Sequence, residues 1–219
     1  MKALLEKTSM HVVATSRSQV TFQQNAKNLD NSRITFFQMD VTKESEIENV
    51  AKEVSEQFGR NLNCVINSAG YLLPEKSIKQ VDFEQAKMHF LVNSIGPMLV
   101  AKHFSGLLTA KNAKWINMSA RTGSIGDNSL GGWHSYRMSK AALNQLTKTL
   151  SVELGRKGAS VVSLHPGTVD TDLSRPYVKN APHLMTADES ANLLMDIILN
   201  LKPEDNGTFL DFKKKPIVW

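Results

Sequence analysis

Short apolar runs alternate with longer amphipathic stretches along the whole chain, and this alternation limits the fold more than any other feature. Strand-like runs rich in β-branched and apolar residues lie at about 11–16, 34–38, 62–67, 114–119, 159–165 and 207–212. Helical patterns occupy about 43–58, 82–109, 135–156 and 187–201, and Pro97 predicts a bend in the second of them. Strand–helix–strand repetition of this kind predicts an α/β fold, a doubly wound parallel sheet with helices on both faces.

The whole chain, residues 1–219, is predicted to form one domain, because no repeat, low-complexity tract or linker interrupts the pattern. No run of about 18 apolar residues is present, so no membrane partner is expected. Cys64 is the only cysteine, which leaves no internal disulfide and favours a cytoplasmic location. The net charge of +5 is typical of a solvated surface. The cluster Lys213–Lys215 has no interleaved aromatic residues, and neither a nucleic-acid partner nor a metal site is predicted.

Tyr136 and Lys140 stand four residues apart in a predicted helix and therefore share one face. A free tyrosine has a pKa near ~10 and exchanges protons poorly around neutrality. A neighbouring ammonium favours the phenolate and is expected to lower that pKa. Tyr136 is then a candidate general acid for reducing a carbonyl, or a base for the reverse reaction. By itself, however, the spacing favours an ordinary surface pair.

Polar and glycine-containing segments follow four of the predicted strands and give this pair a context. Asp40 and Val41 follow the run at 34–38, INSAG spans 66–70, NMSARTGSIG spans 117–126 and HPGTVDTDL spans 165–173. Each segment begins at the carboxyl end of a predicted parallel strand. Because open α/β sheets bind ligands at that edge, these segments are expected to surround one site.

Taken together, these motifs resemble the short-chain dehydrogenases/reductases, and within them the carbonyl-reductase and C-factor-like branch. The stretch GGWHSYRMSKAALN, the HPG-x-V-x-T segment and the final NGTFLDF before Trp219 resemble that branch most. The resemblance covers essentially the whole chain and implies a Rossmann-like sheet. The pairing of YRMSK with HPGTV disfavours another Rossmann-like class, such as a methyltransferase.

The resemblance implies a role for each matching position. Tyr136 would donate or accept the proton, Lys140 would lower its pKa and hold the nicotinamide ribose, and Asn93 would anchor a water in the proton relay. For Asn93, satisfying the bend of its helix is a second role that can hold together with the first. The positions implied to line the cofactor, besides Tyr136 and Lys140, are Asp40, Val41, Asn67, Ala69, Gly70, Pro166, Gly167, Val169 and Thr171. Pro166–Gly167 is also typical of a simple turn after a strand.

Arg17 bears on which cofactor is preferred. Relatives that prefer NAD place an acidic residue at the end of the corresponding strand, where it binds the ribose 2′-hydroxyl. This chain has Ser16 and Arg17 there and no carboxylate. An arginine can pair with a 2′-phosphate through charge-assisted hydrogen bonds, so NADP(H) is the predicted cofactor. The competing interpretation is an exposed arginine without that role.

Position 120 departs from the family pattern. The resemblance implies a serine pair whose second hydroxyl holds the substrate carbonyl oxygen, and the matching pair here is Ser119–Ala120. Ser119 is therefore the candidate catalytic hydroxyl, with Ser124 as another, although the Ser119 side chain can point to the other face of the strand. Loss of one donor to a developing oxyanion typically costs ~10²–10³ in rate.

The beginning of the chain is the second departure. MKALLEK is typical of the tail of a helix, whereas the family opens with a strand and a TGxxxGxG turn that holds the pyrophosphate. In the family's strand order the missing strand is central, which predicts unpaired edges on the strands at about 11–16 and 62–67. A truncated gene model is the favoured explanation; a true short isoform and a degenerate relative are the others.

The predicted function is that of an NADP(H)-dependent oxidoreductase, which reduces a small carbonyl compound or oxidises the corresponding alcohol. The loops at about 71–81 and 172–186 would shape an apolar substrate pocket. The alternative is a catalytically impaired or non-catalytic relative that acts in interaction or regulation. The resemblance also implies a homodimer or homotetramer, formed through the long helices at 82–109 and 135–156.

Overall fold

A computed structural model describes residues 1–178 and 183–219 of the chain. Every strand pair in it is parallel. The strands are β1 (Val12–Ser16), β2 (Ile34–Gln38), β3 (Cys64–Asn67), β4 (Lys114–Met118), β5 (Ser160–His165) and β6 (Phe209–Asp211). All six lie within the runs that the sequence predicts, and the expected α/β fold with a parallel sheet is confirmed.

The strands form a two-stranded sheet, β1–β2, and a four-stranded sheet, β3–β4–β5–β6. Within the ranges that the structure describes, no ladder joins β1 to β3, so the predicted unpaired edges lie where the sequence places them. A shared core nevertheless connects the two sheets. Val13 of β1 and Val65 of β3 pack against one apolar cluster, which contains Trp115 and Val161. Both sheets therefore share one apolar core, and the single domain stays a prediction.

Seven α-helices cover the sheets in the described part of the chain. They are α1 (Lys2–Lys7), α2 (Gln19–Ala26), α3 (Glu44–Phe58), α4 (Phe83–Phe90), α5 (Gly96–Phe104), α6 (His134–Gly155) and α7 (Ala187–Leu199). Helix α3 forms because Ile47, Val50 and Val54 make one buried face, while Glu44 and Glu46 stabilise its first turn. No helix in the described ranges combines the length and apolar character needed to cross a membrane.

Helix α1 is short and is held by α7. Its residues Ala3 and Leu5 are buried, and Lys2 and Lys7 form ion pairs with Asp188 and Asp196 at 2.7 and 2.5 Å. The apolar contacts contribute most of the stabilisation, because exposed ion pairs are usually worth less than about 1 kcal/mol. The opening MKALLEK segment is thus helical, as predicted.

The predicted helix at 82–109 is divided rather than simply bent at Pro97. A π-helical turn, Leu91–Ile95, separates α4 from α5, and Pro97 lies in the first turn of α5. A Cβ atom on Gly96 would lie 2.9 Å from the carbonyl oxygen of Val41, so only glycine allows this close approach. Proline has no N–H, so the carbonyl of Asn93, four residues before Pro97, lacks its usual α-helical donor.

Candidate active site

The carboxyl ends of β3 and β4 are joined to α6 by buried polar side chains. Asn67 Nδ2 donates to Asn117 Oδ1 at 2.8 Å, and Asn117 Nδ2 donates to Thr147 Oγ1 at 2.8 Å. Thr147 in turn shares a 2.8 Å hydrogen bond with Ser163 of β5. Buried polar groups that are satisfied in this way fix one arrangement of the elements around them. Helix α6 is therefore held at a defined height against the strand ends.

Tyr136 and Lys140 lie in the first turns of α6, and both are buried, with 8% and 4% of their surfaces exposed. Lys140 Nζ donates to the carbonyl oxygen of Met118, the last residue of β4, at 2.8 Å. The same nitrogen lies 5.8 Å from the centroid of the Tyr136 ring. In the described ranges, no carboxylate lies within ion-pair distance of Lys140. The structure thus places a buried, unpaired ammonium beside a buried phenol.

Burial moves both pKa values toward the neutral forms. It raises the pKa of Tyr136 to about 12 and lowers the pKa of Lys140 to about 8. Burial has this effect on Tyr136 because a buried phenolate loses its hydration, while the predicted lowering of the Tyr136 pKa by Lys140 stays a prediction. Tyr136 carries its proton at neutral pH, which suits a proton donor better than a base.

Replacing Lys140 with methionine is expected to stabilise the fold at pH 7. The pKa of Lys140 falls from 10.5 to about 8 on folding. The unfolded chain thus binds a proton that the folded chain releases between these values, and stability rises with pH in that window. Below this pH window, burial of the Lys140 ammonium lowers the free energy of unfolding by about 3 kcal/mol. Losing the hydrogen bond to Met118 lowers it by only ~1 kcal/mol, so the substitution stabilises the fold on balance.

We expect the Lys140→Met melting temperature at pH 7 to exceed that of the parent chain by roughly 4–8 °C, and the difference to shrink toward pH 10.5. Lys148→Met is the matched control, because Lys148 lies on the same helix but is exposed. It should change the melting temperature little. A Lys140→Met chain that melts earlier at pH 7 would show that the ammonium is compensated in the folded state.

Asn93 is fully buried in the π-helical turn, and its side chain makes three hydrogen bonds. Oδ1 accepts from the backbone N–H of Tyr71 at 2.8 Å, while Nδ2 donates to the Tyr71 carbonyl at 2.9 Å and to Ser139 Oγ at 3.0 Å. Ser139 donates to the carbonyl of Tyr136 at 2.8 Å. The side chain of Asn93 therefore positions the loop after β3 against the Tyr136 turn, a role different from the predicted one of satisfying the bend of its own helix. Its predicted part in a proton relay stays a prediction.

Ser119 is buried, and its hydroxyl donates to Asn144 Oδ1 on α6 at 2.6 Å. A hydroxyl has one proton, so in this arrangement Ser119 has none left for a substrate oxygen. Ser124 similarly donates its proton to the carbonyl of Val218. Ala120 is half-buried and has no side-chain donor. The predicted catalytic role of Ser119 is not tested by this geometry and stays a prediction.

The loop that carries Ala120 is packed tightly on α6. Asn144 Nδ2 donates to the carbonyl of Gly123 at 3.1 Å. A Cβ atom on Gly123 would lie 2.7 Å from Lys140 Cβ and 2.8 Å from the Lys140 carbonyl carbon. Glycine is needed at position 123 because any side chain would push this loop away from Lys140.

The residues predicted to line a cofactor lie along one edge of the sheets. Arg17 follows β1, Asp40 and Val41 follow β2, the segment 67–70 ends β3, and the segment 166–171 follows β5. Hydrogen bonds order several of them: Asp40 accepts from Thr42, and the Pro166 carbonyl accepts from Ser190. The structure brings them to the edge that the sequence predicts, while their contact with a cofactor stays a prediction.

Within that edge, two positions are already packed by neighbouring side chains. Leu173 Cδ2 would lie 3.3 Å from a Cβ atom on Gly70, and the Met185 side chain packs directly over Gly167. Val169 pairs with Met185 as an isolated bridge, and Thr171 bonds to Ser174. Ala69 and Arg17, by contrast, are exposed. The segment after β5 therefore covers part of the predicted binding edge.

Two buried residues that hold the loop after β3 could not be predicted from the sequence. His89 is fully buried; its Nε2 accepts from the Leu73 N–H at 3.1 Å, and its Nδ1 bonds to the Gln85 carbonyl at 2.8 Å. Glu75 accepts from the N–H of Ser135 at 3.3 Å and from the Ser135 hydroxyl. Glu75 thus satisfies an open N–H in the first turn of α6. No spacing rule reveals such bonds, because the partners of Glu75 lie 60 residues away.

The sequence model of the family described as short chain dehydrogenase matches residues 2–182. The chain belongs to the short-chain dehydrogenase/reductase family. A curated relative of this short-chain dehydrogenase/reductase is the 1-hydroxy-2-glutathionyl-2-methyl-3-butene dehydrogenase of Rhodococcus sp. (strain AD45). The two are 33% identical over 171 residues, which cover 78% of this chain and 74% of the relative. The predicted family is confirmed, and the methyltransferase alternative is wrong.

Solved structures of carbonyl reductases share the fold of this short-chain dehydrogenase/reductase. The carbonyl reductase Sniffer of D. melanogaster superimposes with a TM-score of 0.86 at 29% identity, over 96% of this chain and 88% of that one. The NADPH-bound carbonyl reductase from chicken fatty liver gives a TM-score of 0.84 at 31% identity, over 95% and 87% of the two chains. The chain is therefore an oxidoreductase-family protein of the carbonyl-reductase type.

Proposed function

We propose that this chain is an NADP(H)-dependent reductase of small carbonyl compounds, able to oxidise the corresponding alcohols in reverse. One observation supports it above the others: the unpaired Lys140 ammonium is buried 5.8 Å from the ring of a buried, protonated Tyr136. A buried charge without a partner destabilises the fold, and such groups concentrate at functional sites.

The residues at the strand ends fit a dinucleotide with a 2′-phosphate. Arg17 is exposed at the end of β1, and its side chain makes no hydrogen bond or ion pair to the described residues. Against the effect of burial, the hydrogen bonds from Thr42 and then the nearby charge of Arg17 lower the pKa of Asp40. Lys140 has used one of its three N–H donors on Met118, which leaves two for ribose hydroxyls. The NADPH in the chicken carbonyl reductase supports the same choice.

The chain's own residues would then perform the proton chemistry. When bound, the nicotinamide supplies the hydride to the carbonyl carbon. Tyr136 donates its phenolic proton to the carbonyl oxygen, and the Lys140 ammonium stabilises the tyrosinate that remains. The carbonyl of Asn93, which Pro97 cannot bond, would accept from a water that returns a proton toward Lys140.

Replacing Arg17 with alanine is expected to weaken NADPH binding and leave NADH binding unchanged. Charge-assisted hydrogen bonds to a phosphate are worth about 1.5–3 kcal/mol, so the NADPH dissociation constant should rise roughly 10- to 150-fold. Titration calorimetry with both nucleotides measures it. Arg156→Ala, an exposed arginine after α6, is the matched control. Equal weakening of NADPH and NADH would contradict the 2′-phosphate assignment.

A non-catalytic role is the second candidate, and one observation favours it. Ala120 lacks the hydroxyl that the family resemblance implies, and the nearby Ser119 and Ser124 hydroxyls are bonded elsewhere. A folded chain that binds neither NADPH nor NADH would favour this second candidate over the reductase.

We further propose a homo-oligomer formed through the outer faces of α4, α5 and α6. Large apolar side chains are exposed there, among them Phe83, Met98, Met138 and Val152. Large apolar side chains exposed on several helices are a common feature of contact sites between proteins.

A further inference from the structure

We infer that Glu75 is a positioning residue for Tyr136, because its hydrogen bonds cap α6 from outside the helix and hold the turn that carries the tyrosine. This role rests on the proposed reductase function, since it affects turnover only if Tyr136 donates a proton. Helix α6 has no cap of its own. Trp133 precedes its first residue and makes no side-chain capping bond, and its first turn contains no acidic residue.

A helix of 22 residues begins with N–H groups that no helical carbonyl can accept, and its dipole places partial positive charge there. At α6, two of these groups bond to Glu75. The Trp133 N–H donates to the Glu75 carbonyl at 2.7 Å, and the Ser135 N–H donates to Glu75 Oε2 at 3.3 Å. The Ser135 hydroxyl donates to Oε1 of the same carboxylate. The main chain and side chain of one distant residue therefore replace the missing N-cap.

The turn before α6 needs this support because its backbone is strained. Gly131, Gly132 and Trp133 have φ 64°, 63° and 54°, so three consecutive residues lie in the left-handed region. Glycine adopts that region freely, whereas a bulky residue rarely does and persists there only where its neighbours determine it. Glu75 is such a neighbour: it binds the Trp133 N–H, and a Cβ atom on Gly132 would lie 3.6 Å from its carbonyl oxygen.

The carboxylate of Glu75 is buried, and none of the ion pairs in the described part of the chain includes it. Burial alone would raise its pKa, but hydrogen bonds, chiefly from the Ser135 hydroxyl, lower the pKa on balance. The group is therefore ionised at neutral pH, and the N-terminus of α6 is its positive partner. A buried carboxylate is costly without such partners, which ties it to the position of this turn.

Tyr136 depends on the capped turn through its backbone and through its ring. It follows Ser135 directly, so a displacement of Ser135 also displaces the backbone of Tyr136. The ring centroid of Trp133 lies 6.0 Å from that of Tyr136, edge-on at 67°. Glu75 is itself held, because His89 Nε2 accepts from a backbone N–H of the same loop at 3.1 Å. Loss of the Glu75 bonds should therefore misplace the phenolic hydroxyl.

The test replaces Glu75 with alanine and with glutamine and measures reduction of a probe aldehyde, benzaldehyde, per NADPH-binding site. Glu75→Ala should lower kcat about 10- to 100-fold, because a misplacement of about 1 Å can cost roughly 10²-fold. The NADPH dissociation constant should stay within about threefold, because Lys140 keeps its separate bond to Met118. Glu75→Gln retains an acceptor for the Ser135 N–H and should stay within about fivefold of the parent kcat.

Glu189→Ala is the matched control, because Glu189 accepts from the N–H and hydroxyl of Thr186 at 2.7 and 2.9 Å at the start of α7. It removes the same side chain from the first turn of another helix and should leave kcat within about twofold. Ser135→Ala is a milder variant should Glu75→Ala fail to fold. It keeps the N–H bond to Glu75 and loses only the hydroxyl bond, so kcat should fall about three- to tenfold.

Hydrogen exchange, which needs no turnover, separates this role from the reductase proposal. The amides of Ser135 and Arg137, which donate to Glu75 and Trp133, should exchange at least about tenfold faster in Glu75→Ala and at the parent rate in Glu189→Ala. A parent chain that reduces no carbonyl but shows this exchange would sink the reductase and keep Glu75 as the cap of α6. An inactive chain without the change in exchange would sink both.

In an active chain, three results would overturn the role of Glu75. The first is a full kcat in both Glu75→Ala and Ser135→Ala. The second is a parallel loss of kcat and NADPH affinity, which a general disturbance of the fold would produce. The third is a Glu75→Gln chain as slow as Glu75→Ala, since hydrogen bonding at position 75 would then not restore the turn.

Discussion

Replacing Tyr136 with phenylalanine is expected to lower kcat for carbonyl reduction about 10²–10⁴-fold while NADPH binding stays within about twofold. Phenylalanine keeps the ring that contacts Trp133 and removes only the phenolic proton. In the described ranges the hydroxyl of Tyr136 has no hydrogen-bond partner, so its loss should leave stability nearly unchanged. Steady-state NADPH consumption and titration calorimetry on the same preparation measure the two quantities.

Tyr71→Phe is the matched control for this experiment. Tyr71 also lies near the site, with its ring 4.8 Å from His89, but its hydroxyl bonds to Gln85. Its replacement should reduce kcat far less than that of Tyr136. Full activity in Tyr136→Phe would show that another group donates the proton, and the proposed chemistry would be wrong even if NADPH binds.

The positions of the strands along the chain and the shared helix face of Tyr136 and Lys140 follow from local sequence patterns. The run at 34–38 becomes β2 with the same bounds, and the helix predicted at 135–156 becomes α6, one residue earlier at each end. Both predicted elements are confirmed, because alternation and 3.6-residue periodicity are properties of neighbouring residues. The four-residue spacing of Tyr136 and Lys140 is likewise local, so their shared face could be predicted without the fold.

Properties that depend on burial or on distant partners could not be predicted in this way. The direction of the Tyr136 pKa shift depends on how deeply the ring is buried, and the YRMSK motif does not contain that depth. The division of the helix at 82–109 depends on Gly96 meeting Val41, a contact across 55 residues. The roles of Glu75 and His89 in holding the loop after β3 could not be predicted for the same reason. The sequence therefore could not predict the buried bonds that hold the loops around the site, and the chemistry of Tyr136 and Lys140 stays a prediction.

Replacing Ala120 with serine is expected to raise kcat for carbonyl reduction, by about 10²–10³ if the site lacks an oxyanion donor. The backbone at position 120 is extended, with φ −148° and ψ 146°, which serine adopts without strain. Adjacent side chains in extended backbone point to opposite faces, so a hydroxyl at 120 points away from Asn144, the partner of Ser119. It would keep its proton for a substrate oxygen.

Two further variants decide what an Ala120→Ser result means. Ser119→Ala should lose the bond to Asn144 and about 1–3 kcal/mol of stability, with little change in kcat for the folded protein. Ala120→Ser combined with Tyr136→Phe should show no gain, because an oxyanion donor cannot replace the proton donor. If Ala120→Ser gains nothing while Ser119→Ala abolishes turnover, Ser119 is the oxyanion donor, and its bond to Asn144 must open when substrate binds. A gain that starts from no detectable activity would instead mean that the parent chain is a non-catalytic relative in which one missing hydroxyl blocks an otherwise complete proton-donor site.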